Sequence, residues 1–266
     1  MILPSVRLLA LCLLTSLSAT DAYAQTQRVT KYSSGTGFFV SRHGHIVTNA
    51  HVLKKCKKIH INGTDITPTT ARIIKRDDNL DLAVLKANVN PPRIAFLRSP
   101  QSSFDVGEKV MVLGYPGDTA KTGKYDVKYS QVKSLKGPLG SKDHIQFNNA
   151  SAQGNSGGPL LDFAGNVIGV VTAKASIYQS TRTSSTKTLV GTSDIAISLP
   201  TLRDYLKRHR ILFYPRDSLM QMSKGRMEKQ ARSFTVSIMC EQSSTIRQVK
   251  NSRNPSIRSL SNQNVR

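Results

Sequence analysis

The stretch Gln153–Asp162 reads QGNSGGPLLD. A serine set between an asparagine and two glycines is either part of an ordinary tight turn or a nucleophile held on a strained loop. A serine hydroxyl attacks a carbonyl only when a base takes its proton, and the base works best when an acid fixes its tautomer. Ser156 therefore needs a histidine and a carboxylate brought to it by other elements. Of the six histidines, His43 and His45 fall in a Gly-containing hairpin turn, His60 in an alternating strand, His144 near a strand start and His209 at a helix end. His51 differs, because it follows the strand-like HIVTN and the small residue Ala50 as that strand breaks. Among the acids, Asp81 stands just before the apolar run Leu82–Leu85, where the core would hold it while its side chain reaches back to a histidine.

The elements that must position these groups are short. From Ser33 onward, β-branched segments such as GTGFFVS, GHIVTN, KKIHING, DLAVLKA, EKVMVLGYPGD, NVIGVVTAK and TSDIAIS alternate with Gly, Asn and Pro turn signals. That spacing predicts an all-β sandwich or barrel rather than parallel βαβ units. The first clear helix is LPTLRDYLKRHRI, where Thr201 with Asp204 resembles a capping box and Leu202, Tyr205 and Leu206 share a face. After it comes a segment, 211–240, with one strand-like run, SFTVSIMC; 241–266 is basic, rich in Ser, Asn and Gln, and is expected to be mostly disordered.

Residues 1–24, MILPSVRLLALCLLTSLSATDAYA, carry Arg7, an apolar run too short to span a bilayer and small residues at Ala22 and Ala24, so they read as a signal peptide. Nothing after Gln25 is apolar enough for a membrane helix, and the mature chain is expected to be periplasmic or secreted. About 240 of the 266 residues remain, ample for one large domain or two subdomains. The net charge of +22 survives processing, because the leader holds one base, Arg7, and one acid, Asp21. Such a balance favours anionic envelope surfaces; export and the absence of Trp argue against nucleic acid.

Taken together, GTGFFVSRHGHIVTNAHV, DNLDLAVLK and AQGNSGGPL resemble the chymotrypsin- or trypsin-like serine peptidases, most closely their bacterial HtrA-like branch, over roughly Ser34–Leu206. The resemblance implies two packed six-stranded antiparallel β-barrels with a C-terminal helix and a short extension. The peptidase domain would span 25–210, its two barrels meeting near 100–107. It makes His51 the general base, Asp81 the orienting carboxylate and Ser156 the nucleophile, in the order His, Asp, Ser. The amides of Gly154 and Ser156 would form the oxyanion hole. The G-x-S-x-G elbow of α/β-hydrolases also fits GNSGG, but that elbow leads into a helix, whereas Pro159 and a β-rich run follow here.

The same resemblance carries further expectations. The substrates would be polypeptides, cut through an acyl-enzyme with no metal or cofactor. Relatives that cut after Lys or Arg hold an aspartate six residues before the nucleophile; here that position is Ala150, which implies a pocket for small apolar residues. Asn155 replaces the carboxylate that pairs with a newly cut N-terminus in zymogen-activated relatives, so propeptide activation is not expected. The chain after the helix is too short and polar for the PDZ domain that many HtrA-like proteins carry. Beyond the leader only Cys56 and Cys240 remain, and an oxidising compartment makes one internal disulfide the simplest outcome, with two free thiols or an intermolecular bond as alternatives. A different functional class, a binding or chaperone-like envelope protein on the same scaffold using its basic surface, is the competing expectation.

Overall fold

The computed structural model describes residues 24–117, 122–148, 150, 152–180 and 187–249; residues 1–23 of the expected leader and 250–266 of the expected tail lie outside them. Two compact units separate, Thr30–Ser243 and a terminal unit of 1–29 with 244–266. In the terminal unit the described residues are strand; the account below concerns Thr30–Ser243.

The first half supplies β1 (Ala24–Phe39), β2 (His45–Thr48), β3 (Lys58–Gly63), β4 (Ile66–Asp77), β5 (Leu82–Ala87) and β6 (Leu97–Arg98). The second supplies β7 (Lys109–Gly114), β8 (Asp126–Ser134), β9 (His144–Phe147), β10 (Pro159–Asp162), β11 (Val167–Ser180), β12 (Lys187–Ser198), the helix α1 (Leu199–Arg208), β13 (Pro215–Arg216), the helix α2 (Lys224–Arg232) and β14 (Thr235–Val249). Six strands close one barrel in the order β1-β14-β3-β4-β5-β2. Six more, β10-β7-β8-β9-β12-β11, close a second through the β10–β11 pairing, with β6 and β13 added in parallel beyond β11. The two six-stranded antiparallel barrels expected from the resemblance are present.

Period-two alternation explains why both barrels and the seam between them fill with side chains. On β5 every residue but Lys86 is buried. Ala83, Leu85 and Ala87 point into the first barrel with Phe39, Ile46, Ile59 and Ile61, while Leu82 and Val84 face the other way, onto a seam shared with Phe38, Met111, Leu113 and Tyr205. A strand buried on both faces reads as the continuous run LAVL. Val110 and Val112 fill the second barrel with Phe147, Leu160 and Ile168.

The C-terminal region departs from the sequence reading in three ways. The segment read as an extension contributes β14 as a stave of the first barrel, with Ser237 opposite Asn62 and Cys240 opposite Ile59 on β3. Its Val236 and Ile238 are fully buried in that barrel. The strand runs on to Val249, nine residues past Cys240. The helix α1 begins at Leu199 rather than Thr201, because Ser198 caps it by accepting from the Thr201 amide at 3.5 Å and Pro200 suits a first turn. Leu202, Tyr205 and Leu206 are buried together, as their spacing predicts. The helix α2 has no counterpart in the sequence reading, since only Met227 and Ala231 of its nine residues are buried.

Candidate active site

Asp81 is the residue around which the first barrel's contribution is built. It stands immediately before β5 with φ +53, a left-handed conformation that costs most residues roughly 1 kcal/mol and that aspartate tolerates better than most. Its backbone carbonyl accepts from the Ala50 amide at 3.2 Å and from Asn49 Nδ2 at 2.9 Å. Its carboxylate accepts from the His51 amide at 2.9 Å through Oδ1, and meets His51 Nδ1 at 2.8 Å through Oδ2. A carboxylate only accepts, so Nδ1 carries the proton and Nε2 is left as the acceptor. His51 opens a short 3-10 turn whose next two residues, Val52 and Leu53, are buried and anchor it.

A third donor to that carboxylate comes from the second barrel. Thr172 Oγ1, on β11, reaches Asp81 Oδ2 at 2.7 Å. Burial alone would raise the Asp81 pKa, but the bonds from the His51 ring, Thr172 and the His51 amide outweigh it and hold the carboxyl below its ordinary value. The same Thr172 accepts the Ser156 hydroxyl on its backbone carbonyl at 3.0 Å. Thr172 thus links Ser156 and Asp81, and the Ser156 hydroxyl is turned to it rather than to His51.

The loop carrying Ser156 is fixed by backbone geometry. Gly157 has φ +86, and a Cβ there would lie 2.2 Å from the Thr36 carbonyl oxygen. Gly154 has φ +100, and a Cβ there would lie 2.6 Å from the Tyr115 carbonyl oxygen. No other residue type fits either place without displacing backbone. The carbonyls alternate with this geometry: Gln153 O accepts from the Gly117 amide at 3.0 Å, Gly154 O from Thr36 Oγ1 at 2.7 Å, and Asn155 O from the Gly158 amide at 2.9 Å. Across a planar trans peptide the N–H points away from the preceding C=O, so the Gly154 and Ser156 amides face away from the Gln153 and Asn155 oxygens. Thr36, fully buried, also accepts from the Tyr115 amide at 3.0 Å. Asn155 is 1% exposed, and among the described residues neither of its side-chain polar atoms has a partner; a carboxylate in its place would be a buried charge without a partner there.

Ala150 is buried, and its amide donates to Asp194 on β12, itself fully buried. The sequence reading gave no carboxylate to this region. Cys56, five residues past His51, is bridged to Cys240 on β14 with Cα atoms 5.2 Å apart. Four of the other five histidines make structural contacts, and His43 is exposed in its turn: His45 Nδ1 lies 2.8 Å from Ser41 Oγ, His144 Nδ1 3.1 Å from Ser141 Oγ, His60 Nε2 3.2 Å from Glu241 Oε2, and His209 packs edge-on to Tyr205. Thr172 and Thr36 were missed in sequence. The only local signal for Thr172 is a hydroxyl interrupting the run VIGVV as it leaves the core.

A family model described as trypsin-like peptidase domain matches residues 35–170, from just before Thr36 through β10 and into β11. The chain belongs to the trypsin-like peptidases. Among relatives of this trypsin-like peptidase, an uncharacterized protein, y4bJ, of Sinorhizobium fredii (strain NBRC 101917 / NGR234) is 31% identical over 229 residues, covering 84% of this chain and 35% of the relative. A probable periplasmic serine endoprotease, DegP-like, of Chlamydia muridarum is 39% identical over 140 residues, 52% of this chain and 28% of that one. The chain therefore spans about a third of the length of these relatives. Among solved structures, the HtrA-type protease AlgW with a tripeptide aligns with a TM-score of 0.53 at 28% identity, over 67% of this chain and 56% of that one. The fold is also that of a serine endoprotease from Yersinia pestis, with a TM-score of 0.50 at 23% identity over 66% of this chain and 57% of that one.

Proposed function

We propose that this trypsin-like peptidase is a serine endopeptidase that hydrolyses polypeptides through His51, Asp81 and Ser156. The observation that carries the reading is the paired carboxylate and imidazole, His51 Nδ1 to Asp81 Oδ2 at 2.8 Å, joined through Thr172 to the serine hydroxyl. In the first step Ser156 Oγ turns from the Thr172 carbonyl to His51 Nε2, which takes its proton as Oγ bonds to the scissile carbonyl carbon. The Gly154 and Ser156 amides stabilise the oxygen that gains the electron pair. His51 then gives its proton to the leaving amine, the C–N bond breaks and the acyl-enzyme remains. Water, deprotonated by the same nitrogen, releases the acid and restores Ser156. Asp81 stays ionised throughout and stabilises the imidazolium.

The apolar leader and the DegP-like relatives support export, so the proposed compartment is the periplasm or the exterior. Among the described residues no helix is long and apolar enough to cross a membrane. For the residue before the scissile bond, the proposal is a small apolar side chain against Ala150, because Asp194 turns its Oδ2 onto the Ala150 amide and is fully buried. The competing reading, a binding protein on this scaffold, draws support from the resting serine hydroxyl, which is bonded to Thr172 and not to the imidazole. A fluorophosphonate probe distinguishes the two. Labelling of the chain and casein cleavage, both lost in Ser156→Ala, support the peptidase; an unlabelled, inert wild-type protein supports the binding role.

A further inference from the structure

A cavity of about 400 Å³ is lined by Arg42, at the end of β2 opposite His51, and by Arg93 and Arg216. Arg42 belongs to the turn that precedes β2, whereas His51 follows that strand. The four residues of β2, three steps of about 3.3 Å, hold the two roughly 10 Å or more apart. The walls between the arginines are Ile94, Phe96, Tyr214 and Gln230, and no carboxylate is among the lining groups.

The three cations are arranged differently. Arg216 is fixed: its Nε donates to Asn166 Oδ1 at 2.7 Å, its Nη2 to the Ala164 carbonyl at 3.1 Å, and its guanidinium lies 4.5 Å from the centroid of the Phe96 ring. The acid whose charge it feels, Asp162, is already committed, accepting from Ser218 Oγ at 2.5 Å, from the Ala164 and Asn166 amides at 2.9 Å, and from Arg98 at 3.4 Å. Arg42 is tied back through Nη1 to the Pro92 carbonyl at 3.2 Å. Arg42 and Arg93 are both exposed, and neither is within ion-pair distance of an acid among the described residues. Tyr214, 39% exposed, and Ile94 supply an apolar wall beside them.

Three arginines line one concave space with no carboxylate among its lining groups, and that excess of positive charge sets the ligand class. A lone carboxylate would balance one of the three. A phosphate monoester or diphosphate carries two or more negative charges and offers oxygens in the geometry the guanidinium fork bonds in pairs. The volume lies in the range of small-molecule sites, and the Phe96, Ile94 and Tyr214 walls accept the organic body of an ester. We propose that this cavity binds a phosphate ester, at a site separate from the peptidase centre and not dependent on that centre's activity.

The test is calorimetric titration of the full chain with inorganic pyrophosphate at about physiological ionic strength, so that exposed charges are screened. One saturable site is expected, weakened roughly tenfold or more by Arg93→Gln or Arg42→Gln, each of which removes a charge-assisted bond, and unchanged by Arg72→Gln on the exposed face of β4. Both cavity variants alter exposed side chains, and an unchanged melting temperature without ligand confirms that they fold. Vesicles of phosphatidic acid in phosphatidylcholine, with pyrophosphate as competitor, identify the source: competed binding assigns a lipid headgroup, and binding of pyrophosphate alone assigns a soluble ester. No saturable binding, an equal loss in Arg72→Gln, or succinate binding as tightly as pyrophosphate would overturn the proposal.

Discussion

Thr172→Val removes one hydroxyl and leaves the backbone carbonyl that receives Ser156, so it isolates the bond to Asp81. That bond, 2.7 Å from Oγ1 to Oδ2, joins a neutral donor to a carboxylate whose side chain is 25% exposed. Hydrogen bonds to charged groups contribute about 1.5–3 kcal/mol, and partial exposure brings the figure to roughly 1–2 kcal/mol. If that contribution acts on the orientation of the carboxylate, and through it on the His51 ring, kcat/KM for a peptide substrate falls about 5- to 30-fold. A second readout separates orientation from general damage. The Thr172 bond is among those that lower the Asp81 pKa, so removing it raises that pKa towards the ordinary carboxylate value. A carboxyl with its folded pKa below its unfolded one adds stability above the unfolded pKa and loses it as pH falls through the folded value. The acid-unfolding midpoint of Thr172→Val therefore moves to higher pH, and Thr172→Ser, which restores the hydroxyl, returns both properties towards wild type. Wild-type kcat/KM in the valine variant, or a serine variant as impaired as valine, refutes the reasoning.

Three further outcomes follow from the geometry. Cys240→Ser releases a bridge closing 184 residues and lowers stability by up to ~5 kcal/mol on the chain-entropy argument, read as a fall in melting temperature, while probe labelling at Ser156 persists below that temperature; an unchanged melting temperature counts against a bridge in solution. Gly157→Ala places a Cβ 2.2 Å from a backbone oxygen at φ +86 and costs roughly 2–4 kcal/mol with loss of probe labelling; a fully labelled, equally stable variant contradicts the loop geometry. A peptide-library profile should be led by Ala, Val or Leu before the scissile bond, whereas a profile dominated by Lys or Arg would assign Asp194 to the pocket floor and reverse the reading built on Ala150.

What the sequence revealed and what it hid divide along the range of the contacts. His51, Asp81 and Ser156 each sit at the end of a strand beside turn residues, and each local pattern could be read within about ten residues. The barrels were legible for the same reason, because short apolar, β-branched runs bounded by turn residues, such as DLAVLKA, are a local property. Thr172 was hidden because its hydroxyl meets a partner 91 residues earlier in the chain. The role of β14 was hidden because SFTVSIMC looks like any edge strand until β3 is placed beside it. Asp194 and the three arginines acquire meaning only from what other strands and loops set around them. The short helix α2 has only two core-facing positions, too few for periodicity to reveal it.

The place of β14 in the first barrel bears on the order in which the molecule can be made. Synthesis runs from the N-terminus, so β1 to β5, with His51 and Asp81 among them, emerge long before residue 235. Until then the edges of β1 and β3 have no partner between them, and Val236 and Ile238 are missing from a half-filled interior. An incomplete chain thus carries His51 and Asp81, two of the three groups of the proposed triad, in an open sheet, and pairing across so much sequence is intrinsically slow. On the proposed function, cleaving power arises only once the last stave is in place.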